Sequence, residues 1–305
     1  MMEKLRIIFM GTPDFAVATL QAMVEEGFNV VAVITSPDKP AGRGLQLQQS
    51  AVKKYARSVS LPVLQPERLR DPEFIETLKS YHADLQVVVA FRMLPEVVWS
   101  MPRLGTINLH ASLLPDYRGA APINHVIIHG EKKTGVTTFF LKHAIDTGDM
   151  IFRAEVEIAA DETAGTLHDK LMEAGAVLMI KTLHAVESGD YTTTPQSGSS
   201  EKTAPKLFRN DCLIHWNNTA DTILHFIRGL SPYPCAFTLH NNSSIKIFAA
   251  HAEITPHTET TGNISSDNKT YIRWAVKDGY VYGDEIQVEG KKRMPTTEYL
   301  RGNSI

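Results

Sequence analysis

The chain has 305 residues, of which 43% are hydrophobic and 21% charged, and its formal net charge is −3 at pH 7. This composition is typical of a globular protein with one large or two ordinary domains, and its charge does not indicate a generally basic, nucleic-acid-binding surface. With only two distant cysteines and no apolar run of about 18 residues, a disulfide framework, a cysteine-rich zinc site and a membrane span are not expected. The first residues carry no secretory cleavage pattern, so a cytoplasmic location is expected.

Apolar runs alternate with helical patterns over the first 189 residues. Strands are predicted at 5–11, 30–35, 62–66, 84–91, 105–110 and 135–142, and helices at 12–27, 50–60, 71–82, 121–130 and 163–189. Continuous apolar strands separated by helices indicate a parallel sheet covered on both faces. The sequence therefore predicts a Rossmann-like α/β domain.

A change of composition follows this part of the chain. Residues 190–205 are rich in Ser, Thr, Pro and Gly and lack periodicity, which is typical of a linker. Beyond it the sequence predicts a helix at 219–230 and short β-like runs at 235–240, 244–254, 271–283 and 285–290, with a hairpin-type turn at Lys277-Asp278-Gly279. We therefore predict a catalytic domain at 1–189, a linker at 190–205 and a smaller β-barrel domain, similar to the oligonucleotide-binding (OB) barrel, at 206–305.

The end of the strand at 105–110 places polar side chains where a core strand is usually apolar. Alternate residues of a strand face the same side, so Asn108 and His110 project together. An amide can donate to a developing oxyanion and an imidazole can act as a base near neutral pH, which suits acyl transfer. The alternative is a hydrogen-bonded core histidine beside a turn-forming asparagine.

A second polar cluster lies in the loop "HAIDTGDM", residues 143–150. A carboxylate there, Asp146 or Asp149, could orient an imidazole and stabilise its charged form. An ordinary Asx-type turn is the alternative interpretation.

Two loops bear on ligand binding. The first strand–helix junction has Gly11 but Pro13 where a dinucleotide fingerprint needs its second glycine, so a nicotinamide-dependent enzyme is disfavoured. The long loop at 35–49 carries Lys39 and Arg43, which could meet phosphates, although a solvated flexible loop would look the same.

Taken together, these stretches resemble the methionyl-tRNA formyltransferase family, within the folate-dependent formyltransferases, over essentially the whole chain. The matching stretches are RIIFMGTPDFA, SPDKPAGRG, INLHASLLPDYRGAAPI, TGVTTFFL, IDTGDM, GTLHDKL and LIHWNNTADTILHFIRGLSPYP. The resemblance implies transfer of a formyl group from 10-formyltetrahydrofolate to the amine of methionine on initiator tRNA. It places Asn108, His110 and Asp146 at the catalytic positions and requires no metal, because the formyl carbon is already activated on the donor.

The resemblance also implies the binding residues. Ser112, Leu113, Leu114, Pro115 and Phe91 fall on folate-contacting segments. The chain departs from the family at Phe91-Arg92-Met93-Leu94-Pro95, which is one residue shorter and lacks a glycine, so the folate contacts at 91–93 are left open.

On the nucleic-acid side, the resemblance places Lys39, Arg43 and Lys206 at the tRNA, with the protein expected to act as a monomer. The loop after Arg43 lacks the lysine common in the family, which predicts a shallower salt dependence. Residues 206–305 carry 11 Lys and Arg against 10 Asp and Glu, so the tRNA contacts of this domain rest on local basic groups.

Two other functions are consistent with parts of the sequence. The same chemistry could serve a small amine or an amino-sugar nucleotide, but such an acceptor would not need the linker, the β-rich domain or the Arg43 loop. A non-enzymatic RNA-binding protein on an inactive scaffold would not need Asn108, His110 and Asp146 together.

Overall fold

The computed structural model describes residues 4–41, 46–197, 200–241 and 243–305. The chain forms two compact units, each discontinuous in sequence. The first comprises residues 1–118, 135–156 and 169–202, and the second comprises residues 119–134, 157–168 and 203–305. Within the described ranges, no helix combines the length and the apolar character that crossing a bilayer requires.

The strands begin and end as follows: β1 Arg6–Gly11, β2 Asn29–Ile34, β3 Lys39–Ala41, β4 Gln46–Gln48, β5 Val63–Leu64, β6 Leu85–Val89, β7 Thr106–His110, β8 Arg118–Gly119, β9 Lys133–Phe140, β10 Met150–Glu157, β11 Thr203–Ala204, β12 Ala236–His240, β13 Ser243–Ile254, β14 Ile264–Ser266, β15 Ile272–Val276, β16 Gly279–Val288 and β17 Met294–Pro295. The helices are α1 Asp14–Glu25, α2 Ala51–Ser58, α3 Pro72–Ser80, α4 Glu96–Trp99, α5 Pro122–Ile128, α6 Ala164–Ser188, α7 Ala220–Leu230 and α8 Thr296–Leu300.

The main sheet has the strand order β10-β9-β7-β6-β1-β2-β5. Strands β5, β2, β1, β6 and β7 run parallel, and β9 pairs antiparallel with β7. The neighbouring strands β1 and β6 are almost wholly buried, which explains their continuous apolar runs. The predicted α/β class is confirmed, with β9, antiparallel to β7, and then β10 added at one edge.

Strand β10 follows the loop at 143–150, and the sequence alone gave no bounds for it. Its residues alternate between more and less exposed positions, as in an edge strand with one face toward solvent. A strand of this kind has no continuous apolar run, so the pattern that identified β1, β2 and β6 does not apply to it.

The second unit is built on the antiparallel sheet β12-β13-β16-β15-β14, with β17 paired to β16. Helix α7 packs its buried residues Ala220, Ile223, Ile227 and Leu230, spaced three or four apart, into the core of this sheet. The rings of Trp216 and Trp274 stack in that core with their centroids 4.9 Å apart. The predicted β-rich second domain is therefore confirmed as a class.

Helix α5 precedes the linker in sequence but belongs to the second unit. Asn124 Nδ2 donates to the carbonyl oxygen of Gly229 at 2.8 Å. A β-carbon on Gly229 would lie 2.6 Å from the Ile128 side chain, so only glycine permits this approach of α7 to α5. The predicted boundaries at 189 and 206 stay a prediction.

Candidate active site

Strand β7 has one face on a helix and the other turned away from it. A β-carbon on Gly175 of α6 would lie 2.7 Å from Leu109 Cδ2, which places Leu109 against that helix. The neighbours of Leu109 on either side, Asn108 and His110, therefore share the opposite face. The half-buried Asn108 side chain makes no hydrogen bond with any described residue, so its amide is available to a ligand.

His110 is buried, with 7% of the residue exposed, and both nitrogens of its imidazole face protein groups. Nε2 lies 2.9 Å from the carbonyl oxygen of Tyr117, and Nδ1 lies 3.8 Å from Asp146 Oδ2. Because a carbonyl can only accept, Nε2 carries a hydrogen, and this contact fixes the tautomer. In the neutral ring Nδ1 is then the basic nitrogen, and a proton taken up there faces the Asp146 carboxylate.

The turn that carries Asp146 has a tightly constrained backbone. Asp146 has a φ of +52°, a left-handed conformation that Asp tolerates better than most residues. A β-carbon on Gly148 would lie 1.5 Å from the Phe140 carbonyl oxygen, so no other residue fits there. Asp149 pairs with Lys142 at 2.8 Å. Of the two candidate carboxylates, the structure brings Asp146 to the imidazole and turns Asp149 to a lysine.

The segment Ser112–Pro115 follows β7 directly. The Ser112 hydroxyl donates to the Asp116 carbonyl oxygen at 2.6 Å, and the Thr137 hydroxyl donates to the Ser112 carbonyl oxygen at 2.7 Å. Leu114 N donates to the same Thr137 oxygen at 3.2 Å, and the Leu114–Pro115 peptide is cis. The side chains of Ser112 and Leu114 are fully buried. A ligand at this segment could therefore contact only its backbone and the half-buried side chains of Leu113 and Pro115.

The segment Phe91–Pro95 leaves β6 at the same edge of the sheet, because β6 is parallel to β7 with Val89 opposite Leu109. The guanidinium of the exposed Arg92 side chain donates to the carbonyl oxygens of Pro66 and Glu67, and partial desolvation lowers the pKa of the group. Arg92 thus ties the segment to the chain that follows β5. A glycine at this position could not make these contacts.

The predicted tRNA loop is described only at its ends. Lys39 in β3 is exposed, and Arg43 lies outside the described residues. Next to Lys39, Asp38 accepts from Lys53 Nζ at 2.5 Å and from Gln65 Nε2 at 2.8 Å. These hydrogen bonds, the one from Lys53 first, hold the pKa of Asp38 below its usual value. The base of the loop is therefore anchored by a buried ammonium.

In the second unit, Lys206 lies on a surface that combines cations with aromatic rings. Its ammonium sits 5.3 Å from the ring centroid of Phe208, which is 61% exposed. Phe208 borders a cavity of about 480 Å³. The cavity lining includes Arg209, Tyr233, Phe237, Lys246 and Glu289. Cations and exposed aromatic faces are the groups that contact nucleic-acid backbones and unpaired bases.

Comparison with known proteins covers both parts of the chain. The Formyl transferase family matches residues 4–183, and the family of the formyl transferase C-terminal domain matches residues 206–304. The methionyl-tRNA formyltransferase of Bacteroides fragilis is 52% identical over 309 residues, covering 98% of this chain and 95% of that protein. The Flavobacterium johnsoniae protein of the same name is 51% identical over 306 residues, covering 99% and 97%.

The chain belongs to the methionyl-tRNA formyltransferase family.

Solved structures at lower identity share the fold of this methionyl-tRNA formyltransferase family member. HypX from Aquifex aeolicus, in complex with tetrahydrofolic acid, gives a TM-score of 0.67 at 17% identity over 98% of this chain. The chain spans about half the length of HypX, 47%. The sugar 3N-formyl transferase WlaRD, crystallised with dTDP and 5-N-formyl-THF, gives 0.67 at 19% identity, covering 95% of this chain and all of that one.

Several residues that support the site were not found from the sequence. Gln196 binds the turn that carries Asp146, and Thr137 binds the Ser112–Pro115 segment. The carbonyl oxygen of Tyr117 binds the imidazole. Gln196 lies in the stretch identified as a linker, where nothing periodic marks it. Arg118, its partner, lies in the stretch INLHASLLPDYRGAAPI, but the sequence assigned it no role.

Proposed function

We propose that this enzyme transfers the formyl group of 10-formyltetrahydrofolate to the free amine of methionine esterified to initiator tRNA, giving N-formylmethionyl-tRNA for translation initiation. The observation that carries the proposal is 52% identity, across 98% of the chain, to a protein named for this activity. The arrangement of Asn108, His110 and Asp146 supports it independently, because these groups are the ones that acyl transfer to an amine requires.

Each of these three side chains has a role in the proposed reaction. The amine nitrogen attacks the formyl carbon, and Asn108 Nδ2 donates to the oxyanion that forms, a contact typically worth about 3–4 kcal/mol. His110 Nδ1 takes the proton that the amine loses, while Asp146 stabilises the imidazolium. As the oxyanion collapses and the bond to the folate nitrogen breaks, the proton held between His110 and Asp146 passes through water to that nitrogen, and tetrahydrofolate leaves. No metal enters this scheme.

The folate donor is consumed in each turnover and is therefore a substrate. We place it against Ser112, Leu113, Leu114, Pro115 and Phe91, which flank Asn108 and His110 at the carboxyl ends of β6 and β7. This is where open α/β sheets bind their ligands. The fixed backbone of Ser112–Pro115 presents a preformed edge to the donor, and Arg92 holds the Phe91 segment in place.

The tRNA is assigned to Lys39, Arg43 and Lys206. Lys39 and Lys206 are both exposed, and Lys206 adjoins the aromatic surface around Phe208. Ammonium groups that meet phosphates release counterions, which makes binding salt-dependent. We further propose that the enzyme is cytoplasmic and acts as a monomer.

A single assay tests the proposal. The purified protein is incubated with 10-formyltetrahydrofolate and methionyl-initiator tRNA, and formylated product is measured against uncharged tRNA, an amino-sugar nucleotide and glycinamide ribonucleotide. Formylation of the charged tRNA alone is expected, since a free amine and a tRNA body are both required. Preferential formylation of a small amine would reassign the acceptor, and no formylation of any acceptor would support a non-enzymatic scaffold.

A further inference from the structure

The segment after α6 runs back along the site instead of leading away from it. We call residues 194–197 and 200–202 the strap. Thr194 and Met150 exchange two backbone hydrogen bonds, each 2.9 Å long, at the point where the Asp146 turn enters β10. The strap thus begins at one end of the turn that carries the candidate carboxylate.

Gln196 holds the turn itself. Its Nε2 donates to the carbonyl oxygens of Asp146 at 2.9 Å and Gly148 at 2.8 Å. Its Oε1 accepts from Arg118 Nε at 3.0 Å and Nη2 at 2.5 Å. A guanidinium can only donate, so Arg118 fixes which end of the amide faces the turn. Four hydrogen bonds then determine the position of one side chain.

The other end of the strap holds the second neighbour of the imidazole. The carbonyl oxygen of Lys202 accepts from Tyr117 N at 2.8 Å, and the Ser200 hydroxyl donates to Asp116 Oδ1 at 2.6 Å. The carbonyl oxygen of Tyr117 is the acceptor for His110 Nε2. Both protein groups that face the two nitrogens of His110 are therefore attached to the strap.

We infer that Gln196 is a positioning residue for the formyl transfer, which holds the Asp146 carboxylate opposite His110 Nδ1. The inference rests on the proposed function, because it acts through Asp146. The left-handed backbone of Asp146 and the two carbonyls that Gln196 binds belong to the same turn. Without the amide, this turn loses both hydrogen bonds that link it to Arg118. A displacement of about 1 Å at a reacting group can cost on the order of 10²-fold in rate.

The first measurement is the steady-state rate of Gln196→Met, which keeps the length of the side chain and removes both donors. A loss of kcat on the order of 10-fold is expected, with the KM for either substrate within about twofold, because both ends of the Gln196 amide are engaged within the protein by the Asp146 turn and by Arg118. Gln196→Glu keeps an acceptor for Arg118 but cannot donate to the turn, so its kcat should also be lower than that of the parent enzyme. Ser197→Ala, at an exposed neighbouring position, is the matched control and should match the parent enzyme.

A double-mutant cycle separates positioning from a general structural role. If Gln196 acts through the carboxylate, Gln196→Met should cost less than about twofold in kcat when Asp146 is already Asn, since the two changes remove one shared effect. An equal cost in both backgrounds, or a parent-like kcat in both Gln196 variants, would overturn the inference. Neither result would contradict the proposed function. The proposed function fails only if the parent enzyme does not formylate methionyl-tRNA.

Discussion

In the proposed function, the region around His110 performs the chemistry and the surface around Lys206 binds tRNA. The two regions differ in burial and in how their side chains are held. His110 is buried, and each of its neighbours is held by further hydrogen bonds from strands and strap. Lys206 and Phe208 are exposed and contact each other. A buried polar group depends on every partner, whereas an exposed cation shares its role with water and salt. Single substitutions should therefore have large effects in the first region and small, salt-dependent ones in the second.

Asn108→Ala should have the largest effect. It removes the oxyanion donor at a half-buried position, so kcat is expected to fall by roughly 10²–10³-fold, with little change in thermal stability. Single-turnover formylation of methionyl-tRNA gives the rate, and a melting curve checks the fold. A loss below about threefold would remove the oxyanion role from Asn108.

Asp146→Asn sharpens the contrast within one turn. The substitution keeps the shape and tolerates the positive φ, but it removes the charge that faces His110 Nδ1, so a loss of about 10²-fold in kcat is expected. Asp149→Asn is the control, because Asp149 pairs with Lys142 and not with the imidazole. Equal losses in the two variants would contradict the assignment of the carboxylate.

Lys206→Ala tests the exposed region. The KM for tRNA should rise only about threefold at moderate salt. The plot of log affinity against log salt concentration should become less steep by about the amount that one phosphate contact contributes. Lys206→Arg keeps the charge and should restore both values. Affinity and slope that do not change in Lys206→Ala would place the tRNA elsewhere on the protein.

Asp38→Asn tests whether the charge pair at the base of the loop at 35–49 is as sensitive to substitution as the buried region around His110. Asp38 has a lowered pKa in the folded protein, so its contribution to stability is present above the unfolded value near 3.8 and is lost as the pH falls through the lower, folded value. The urea midpoint of Asp38→Asn should therefore lie below that of the parent at pH 7, where Lys53 is left buried and unpaired, and approach it in acid. A difference that does not depend on pH would exclude this charge pair as its cause.

The sequence predicted those features that rest on local patterns. Buried strands were found from continuous apolar runs, and the shared face of Asn108 and His110 followed from their spacing. The choice between Asp146 and Asp149 could not be made, because it depends on where Lys142 and His110 lie after folding. Gln196 gave no signal, since its partners lie 48 to 78 residues away in sequence.

The acceptor and the donor came from the resemblance, and the comparisons confirmed the family. Spacing alone left two interpretations open at His110, a hydrogen-bonded core histidine and an acyl-transfer base, and favoured the first. The burial of that imidazole beside a carboxylate fits either interpretation by itself. The Asn108 amide, which has no partner among the described residues, favours a site that binds a ligand.

Helix α5 has a consequence for anyone dividing this protein into pieces. A recombinant fragment that starts at Lys206 would include α7 but not the helix whose Ile128 lies against Gly229. The uncovered face would be apolar and would favour aggregation. Carrying residues 119–134 into the same polypeptide would restore that cover, so a soluble version of this half requires a rearranged chain and not a simple truncation.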